Sequence, residues 1–199
     1  MPSFANIRRI LLAAIIGFVA ISGLPALAQQ AEVRIRGTIE KLDGQHVFLH
    51  ASDGTETSIA LDAKTAIFIN QRSSLSAIKA GDYVASAAVK GADGKLRSKE
   101  LRIFPEALRG VGDGQRPMNA PDTLMTNAAV SEVVAAPEGQ VVKVKYKNGT
   151  ADLIVGPQVP IIKVVPSEPS ALKPGAKVFV NATKSPDGTI TATRILAMG

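Results

Sequence analysis

The chain is 199 residues long, with 46% hydrophobic, 20% charged and 4% aromatic residues and a formal net charge of +6, a make-up that suits one or two small domains. It contains no cysteine, which excludes disulfide frameworks, thiol nucleophiles and Cys-ligated zinc or iron–sulfur sites. Two histidines, two tyrosines and no tryptophan leave little for imidazole chemistry or for stacking platforms.

From the N-terminus, Met1 to Arg9 carries Arg8 and Arg9 without an acid, Ile10 to Leu24 is apolar, and Ala26-Leu27-Ala28 fits small-residue cleavage. This pattern predicts a secretory signal peptide over residues 1–28, cut between Ala28 and Gln29. The apolar run is shorter than the roughly 20 residues that span a bilayer, so membrane association is expected only through an uncleaved leader. Loss of Arg8 and Arg9 lowers the net charge from +6 to +4.

Downstream, the sequence matches itself. Shifted by 94, residues 75–104 fall on 169–198: Ser76-Ala77-Ile78-Lys79-Ala80-Gly81 lies on Ser170-Ala171-Leu172-Lys173-Pro174-Gly175, and Asp93-Gly94 on Asp187-Gly188. A shift of 95 aligns the earlier parts, placing Gly44 on Gly139, Val47 on Val142, Ile59 on Ile154 and Ile69 on Val164, with the one-residue difference assigned to a loop near residue 72. Such self-similarity predicts two copies of one structural unit.

Within each copy apolar residues alternate with polar ones, as in Val33, Ile35, Gly37 and Ile39 against Arg34, Arg36, Thr38 and Glu40. Period two marks half-buried strands, and Asp-Gly or Asn-Gly pairs between them mark tight turns. Strands are predicted near 33–42, 46–51, 55–61, 65–70, 82–90 and 95–104, then near 128–136, 140–147, 150–156, 159–165, 176–184 and 189–197. A short helical turn is expected at Leu75 to Lys79 and again at Ser170 to Lys173. Since five or six short strands leave fewer edges when closed, each copy is expected to be a small all-β barrel, at residues 31–104 and 128–199, joined by a connector at 105–127.

The connector, Phe104-Pro105-Glu106 through Arg109-Gly110-Val111-Gly112-Asp113-Gly114-Gln115-Arg116, reads as a folded loop pinned by ion pairs. Glu106, Arg109, Gly110, Gly112, Gly114 and Arg116 are candidate residues for an anion or partner site made of guanidinium and glycine N–H groups. The glycines lack the spacing of a phosphate fingerprint. Lys143, Lys145 and Lys147 form a second candidate, a basic stripe on one strand face with Lys184 nearby, to be weighed against lysines that merely guard an edge. His46 and His50 share a strand face but stand roughly 13 Å apart along it, too far to ligate one ion; no metal site or cofactor is expected. No nucleophile elbow, Walker loop or histidine–carboxylate pair is present, so no catalytic residue is assigned.

The string Arg36-Gly37-Thr38-Ile39, an Asp-Gly hairpin, Leu75 through Val84 and the closing Asp93-Gly94-Lys95-Leu96 resembles exported bacterial domains of unknown function, small barrels related in shape to oligonucleotide-binding folds and often in tandem. The resemblance covers 33–104 well and 128–199 less well, where Ala176-Lys177 departs from the pattern. It implies a fold and a periplasmic or secreted location, and no chemistry. The expected function is a non-catalytic binding or assembly module of the envelope, engaging an envelope protein or polymer. The alternative is a binder of a soluble ligand or anionic polymer through the basic strand face and connector. Nucleic acid is not an expected partner.

Overall fold

A computed structural model describes residues 30–198; the predicted signal peptide lies outside the described residues. The chain is all-β, and twelve of its strands fall where the alternation placed them. In order they are β1 (Ala31–Asp43), β2 (His46–Ala51), β3 (Glu56–Ala60), β4 (Ala66–Ser73), β5 (Tyr83–Lys90), β6 (Leu96–Phe104), β7 (Gly114–Pro117), β8 (Thr123–Ala136), β9 (Gly139–Tyr146), β10 (Gly149–Val155), β11 (Ile161–Ser167), β12 (Lys177–Lys184) and β13 (Ile190–Met198). Short 3-10 turns at Leu75–Ala77 and Pro169–Ala171 match the two predicted turns. β7 was not anticipated, and β8 begins at Thr123, so the connector expected over 105–127 is shorter and partly strand.

The pairing departs from two independent units. β1 pairs with β2, β2 with β3, β3 with β13, β13 with β12, and β12 with β1 again. The second circuit runs β5–β6–β10–β9–β8 and back to β5. Each ring therefore takes three strands from one half of the sequence and two from the other. The expectation that residues 31–104 and 128–199 each close alone is corrected accordingly: the last two strands of each half cross to the opposite ring.

The rings meet where β4 pairs with β11, antiparallel from Ile67↔Ser167 to Ser73↔Ile161. Each of these strands also runs parallel to a ring strand, β4 beside β13 and β11 beside β6. The pairings map onto themselves when the halves are exchanged, with the Asn70↔Val164 rung on the axis. The map also corrects the sequence alignment. Ile59 corresponds to Leu153 and Ile69 to Lys163, so the one-residue difference falls in the β2–β3 turn instead of near residue 72. Ile39 corresponds to Val130, since each exchanges backbone bonds with an equivalent turn (Ile39 with Gly175 and Ala176, Val130 with Gly81 and Asp82). The hairpin after β8 is consequently longer than that after β1.

Burial follows the rings. Ile39, Leu49 and Ile59 are packed with Val178, Val180 and Ile195 inside the first, and Val84 and Leu101 with Val142, Val144 and Leu153 inside the second. Full burial of such a side chain stabilises by about 1.5–3 kcal/mol, and neither half of the sequence holds enough of either set to complete a core. A third, smaller cluster of Phe68, Leu108 and Val164 seals the β4–β11 junction beneath the connector.

Candidate functional site

The connector opens with a 3-10 turn at Glu106–Leu108. Its Leu108 is buried in the junction cluster with Val111 packed against it, so the apolar residues of the segment anchor it. Arg109 Nε donates to Glu106 Oε1 at 2.6 Å, and Nη2 donates to the Gly81 carbonyl at 2.9 Å. Its guanidinium also stands 5.9 Å from the ring centroid of Tyr83. The expected ion pair at this end of the loop is present, and the Arg109 bond to Gly81 fastens the connector to the turn before β5.

Arg116 is placed differently from the expectation. Its Nη1 donates to the Gly112 carbonyl at 3.0 Å, with no bond to Asp113. Asp113 instead accepts from the Lys147 backbone N–H at 2.8 Å and from the Tyr83 hydroxyl at 3.4 Å. Burial, then the Asp113 charge and hydrogen bond, push the Tyr83 phenol up to about 12. Gly110, Gly112 and Gly114 have φ of 81°, 65° and 120°, the left-handed region glycine enters without strain. The N–H groups of Arg109, Val111 and Asp113 bond to carbonyls of Glu106, Leu108 and Gly110 in the same loop. The glycines thus shape a self-bonded turn, and β7 continues from it onto β8.

Of the lysine stripe, Lys143 and Lys145 alternate along β9 with the buried Val142 and Val144, as period two requires. Lys143 Nζ pairs with Glu132 Oε2 at 2.8 Å, and Lys147 lies in the turn beyond β9. Lys184 belongs to β12 in the other ring, so it does not extend the stripe. His46 lies opposite Asp43 and Ala60, His50 opposite Thr38 and Glu56; among the described residues no group of three or more His, Asp or Glu gathers as a metal set.

A different cluster forms only because the strands cross over. The register sets Arg34 of β1 opposite Asn181 of β12, and Asn181 opposite Arg194 of β13. With its amide oxygen turned to Arg194, Asn181 accepts from Nε and Nη2 at 3.1 and 2.9 Å. Burial, with Arg34 beside it, draws the Arg194 guanidinium below its usual value. Among the described residues no carboxylate lies within 4.0 Å of either arginine. The two line a groove of about 440 Å3 whose floor includes Phe68 and Leu108, with Thr183 and Thr193 on the walls and Glu32 also in the lining. Two residues farther along β1, Arg36 lies 5.4 Å over the Phe179 ring.

The connector contributes to this groove through Ala107 and Leu108, not through its arginines. Sequence reasoning placed Arg34 and Arg36 on the polar face of the first strand but had no means of setting Arg194 beside them. That arrangement needs β1 to pair with β12.

The fold and groove define an all-β protein with a cationic surface cleft. Over residues 138–195 the chain matches the model of a family described as a domain of unknown function, DUF5666, and it is to that family that this stretch is similar. No curated protein and no solved structure matches the chain. The likeness to domains of unknown function expected from the sequence is therefore shown in the second half, where the pattern was expected to fit less well. The matched stretch supplies β9 and β10 to the second ring and β12 and β13 to the first.

Proposed function

We propose that this protein is a non-catalytic binding module of the bacterial cell envelope, exported by its N-terminal leader, built of two OB-like barrels from a duplicated unit, and engaging an anionic partner in the Arg34–Arg194 groove. The observation that carries the reading is the pair of arginines set on one face over an apolar floor, with no carboxylate among the described residues within 4.0 Å of either and Glu32 the one acid in the lining. Two like charges on one face with a single strand between them, one of them partly desolvated, are an unfavourable arrangement that an incoming anion relieves. Asn181 holds Arg194 in place, so less side-chain freedom is lost on binding. The connector arginines are occupied by Glu106 and backbone carbonyls, and Lys143 by Glu132, which favours the groove over both sites expected from sequence.

The test is retention of the mature protein on immobilised dextran sulfate as salt is raised. The Arg34→Gln/Arg194→Gln variant should elute at clearly lower salt than the parent, while Lys143→Gln/Lys145→Gln/Lys147→Gln should shift it little. The reverse order would transfer the binding face to the lysine stripe and overturn the proposal.

A further inference from the structure

Resting on the anionic-partner reading above, a second feature of the same face names the partner's form. In β1, Ile39 N–H donates to the Ala176 carbonyl and the Ile39 carbonyl accepts from Gly175 N–H, so odd-numbered residues turn their backbone groups to β12. Even-numbered ones turn to the other side. There Thr38 lies opposite His50 of β2 and the Arg36 carbonyl accepts from Ser52 N–H. Past that point, among the described residues, no strand lies beside the Arg36 N–H or the backbone groups of Arg34 and Glu32.

The corresponding place in the second ring is filled. Asn127, Met125 and Thr123 of β8 stand where Arg36, Arg34 and Glu32 stand in β1, given that Val130 corresponds to Ile39. β7 covers them as a four-residue antiparallel strand, with Gly114 opposite Asn127 and Arg116 opposite Met125. Met118 N–H then bonds to the Thr123 carbonyl. The chain itself thus shows what this edge accepts.

We propose that the Glu32–Arg36 edge of β1 takes an extended acidic peptide as an added antiparallel strand, the counterpart of β7 on β8. Backbone pairing supplies the docking, and alternate side chains supply the selection. Val33 and Ile35 pack against the core, whereas Arg34 and Arg36 are exposed. Every second residue of an added strand falls on the face of Arg34 and Arg36, on the side of β1 away from β12 and β13, and a carboxylate there meets those two guanidinium groups. A second copy of this chain is the poorer occupant, because each free edge carries two arginines against one glutamate, so two edges laid together leave arginines without a carboxylate opposite them.

The experiment measures binding of a fluorescein-labelled synthetic decapeptide alternating Asp with Val and Thr to the mature protein. Two further versions are methylated at alternate backbone nitrogens, one set turned to β1 and the other to solvent. The parent peptide and one methylated version are expected to bind, and the other to bind about tenfold or more weakly through the lost edge hydrogen bonds. Glu32→Pro, which removes an N–H facing the open edge and keeps both arginines, should weaken the parent peptide comparably, whereas Glu32→Gln, which removes the same charge and keeps that N–H, should bind it at least as well as the unsubstituted protein. Equal binding of both methylated peptides, equal binding of a Lys-for-Asp counterpart, or no peptide binding would overturn strand addition. The anionic-partner reading would still stand if dextran sulfate retention depended on Arg34 and Arg194, and would fall separately if it did not.

Discussion

The exchange of strands between the two rings can be tested with a pair of cysteines. Glu32 and Thr183 are opposed across β1 and β12, and because even residues of β1 turn their backbone away from β12, theirs is a non-hydrogen-bonded pair with Cα atoms about 4.5 Å apart. That separation lies within disulfide reach. The chain has no other cysteine, so Glu32→Cys/Thr183→Cys should form one unambiguous intramolecular bond on oxidation. It closes a loop of about 150 residues, for which lost chain entropy in the unfolded state stabilises by about 5 kcal/mol. For a protein of this size that corresponds to a rise in Tm of about 10 °C or more between reduced and oxidised forms. The discriminating control is Glu32→Cys/Val89→Cys. Val89 is opposite Thr123, the counterpart of Glu32, and would face residue 32 only if each half closed on itself. Mass spectrometry of the non-reduced monomer should find the 32–183 bond and no 32–89 bond. Formation of 32–89 in place of 32–183 would refute the exchange, and with it the groove between Arg34 and Arg194.

Two further outcomes follow from local geometry. A Cβ at Gly37 would sit 2.6 Å from the His50 carbonyl oxygen and 3.0 Å from the Ala51 Cα, backbone atoms of the paired strand that cannot swing aside. Gly37→Ala should therefore lose about 1–3 kcal/mol in denaturant unfolding, and a change below about 0.5 kcal/mol would mean the β1–β2 approach is looser than described. In a Tyr146→Phe background the remaining phenol is Tyr83, and its ultraviolet titration should centre near 12 in place of 10. The folded state then keeps a proton that the unfolded chain gives up, so this contribution to stability is whole below pH 10 and is lost as pH rises toward 12. A midpoint near 10 in the folded protein would remove the burial and Asp113 contact assigned to this hydroxyl.

What the sequence by itself determined is local. Alternation of apolar and polar residues and the Asp-Gly turns located twelve strands, because those signals depend only on neighbours along the chain. In the Asp93 and Asp187 turns the carboxylate accepts from the N–H two residues on, at 3.1 and 2.9 Å, an interaction contained within the turn. The connector's Glu106–Arg109 pair was legible for the same reason, being three residues apart. β7 escaped notice because Gly114-Gln115-Arg116-Pro117 has no alternating apolar face and becomes a strand only by lying on β8.

Partner choice was decided by the tertiary structure. Since β5 and β12 occupy equivalent places in two similar halves, nothing in either segment says which should pair with β1. The intervening strand settles it. β4, eight residues long, carries the chain roughly 26 Å in extended form. Held between β13 and β11, it delivers β5 and β6 to the far ring, as β11 delivers β12 and β13 to the near one. Arg34, Asn181 and Arg194 meet as a consequence of that crossing, since contacts between residues so distant in sequence exist only once the strand partners have been chosen.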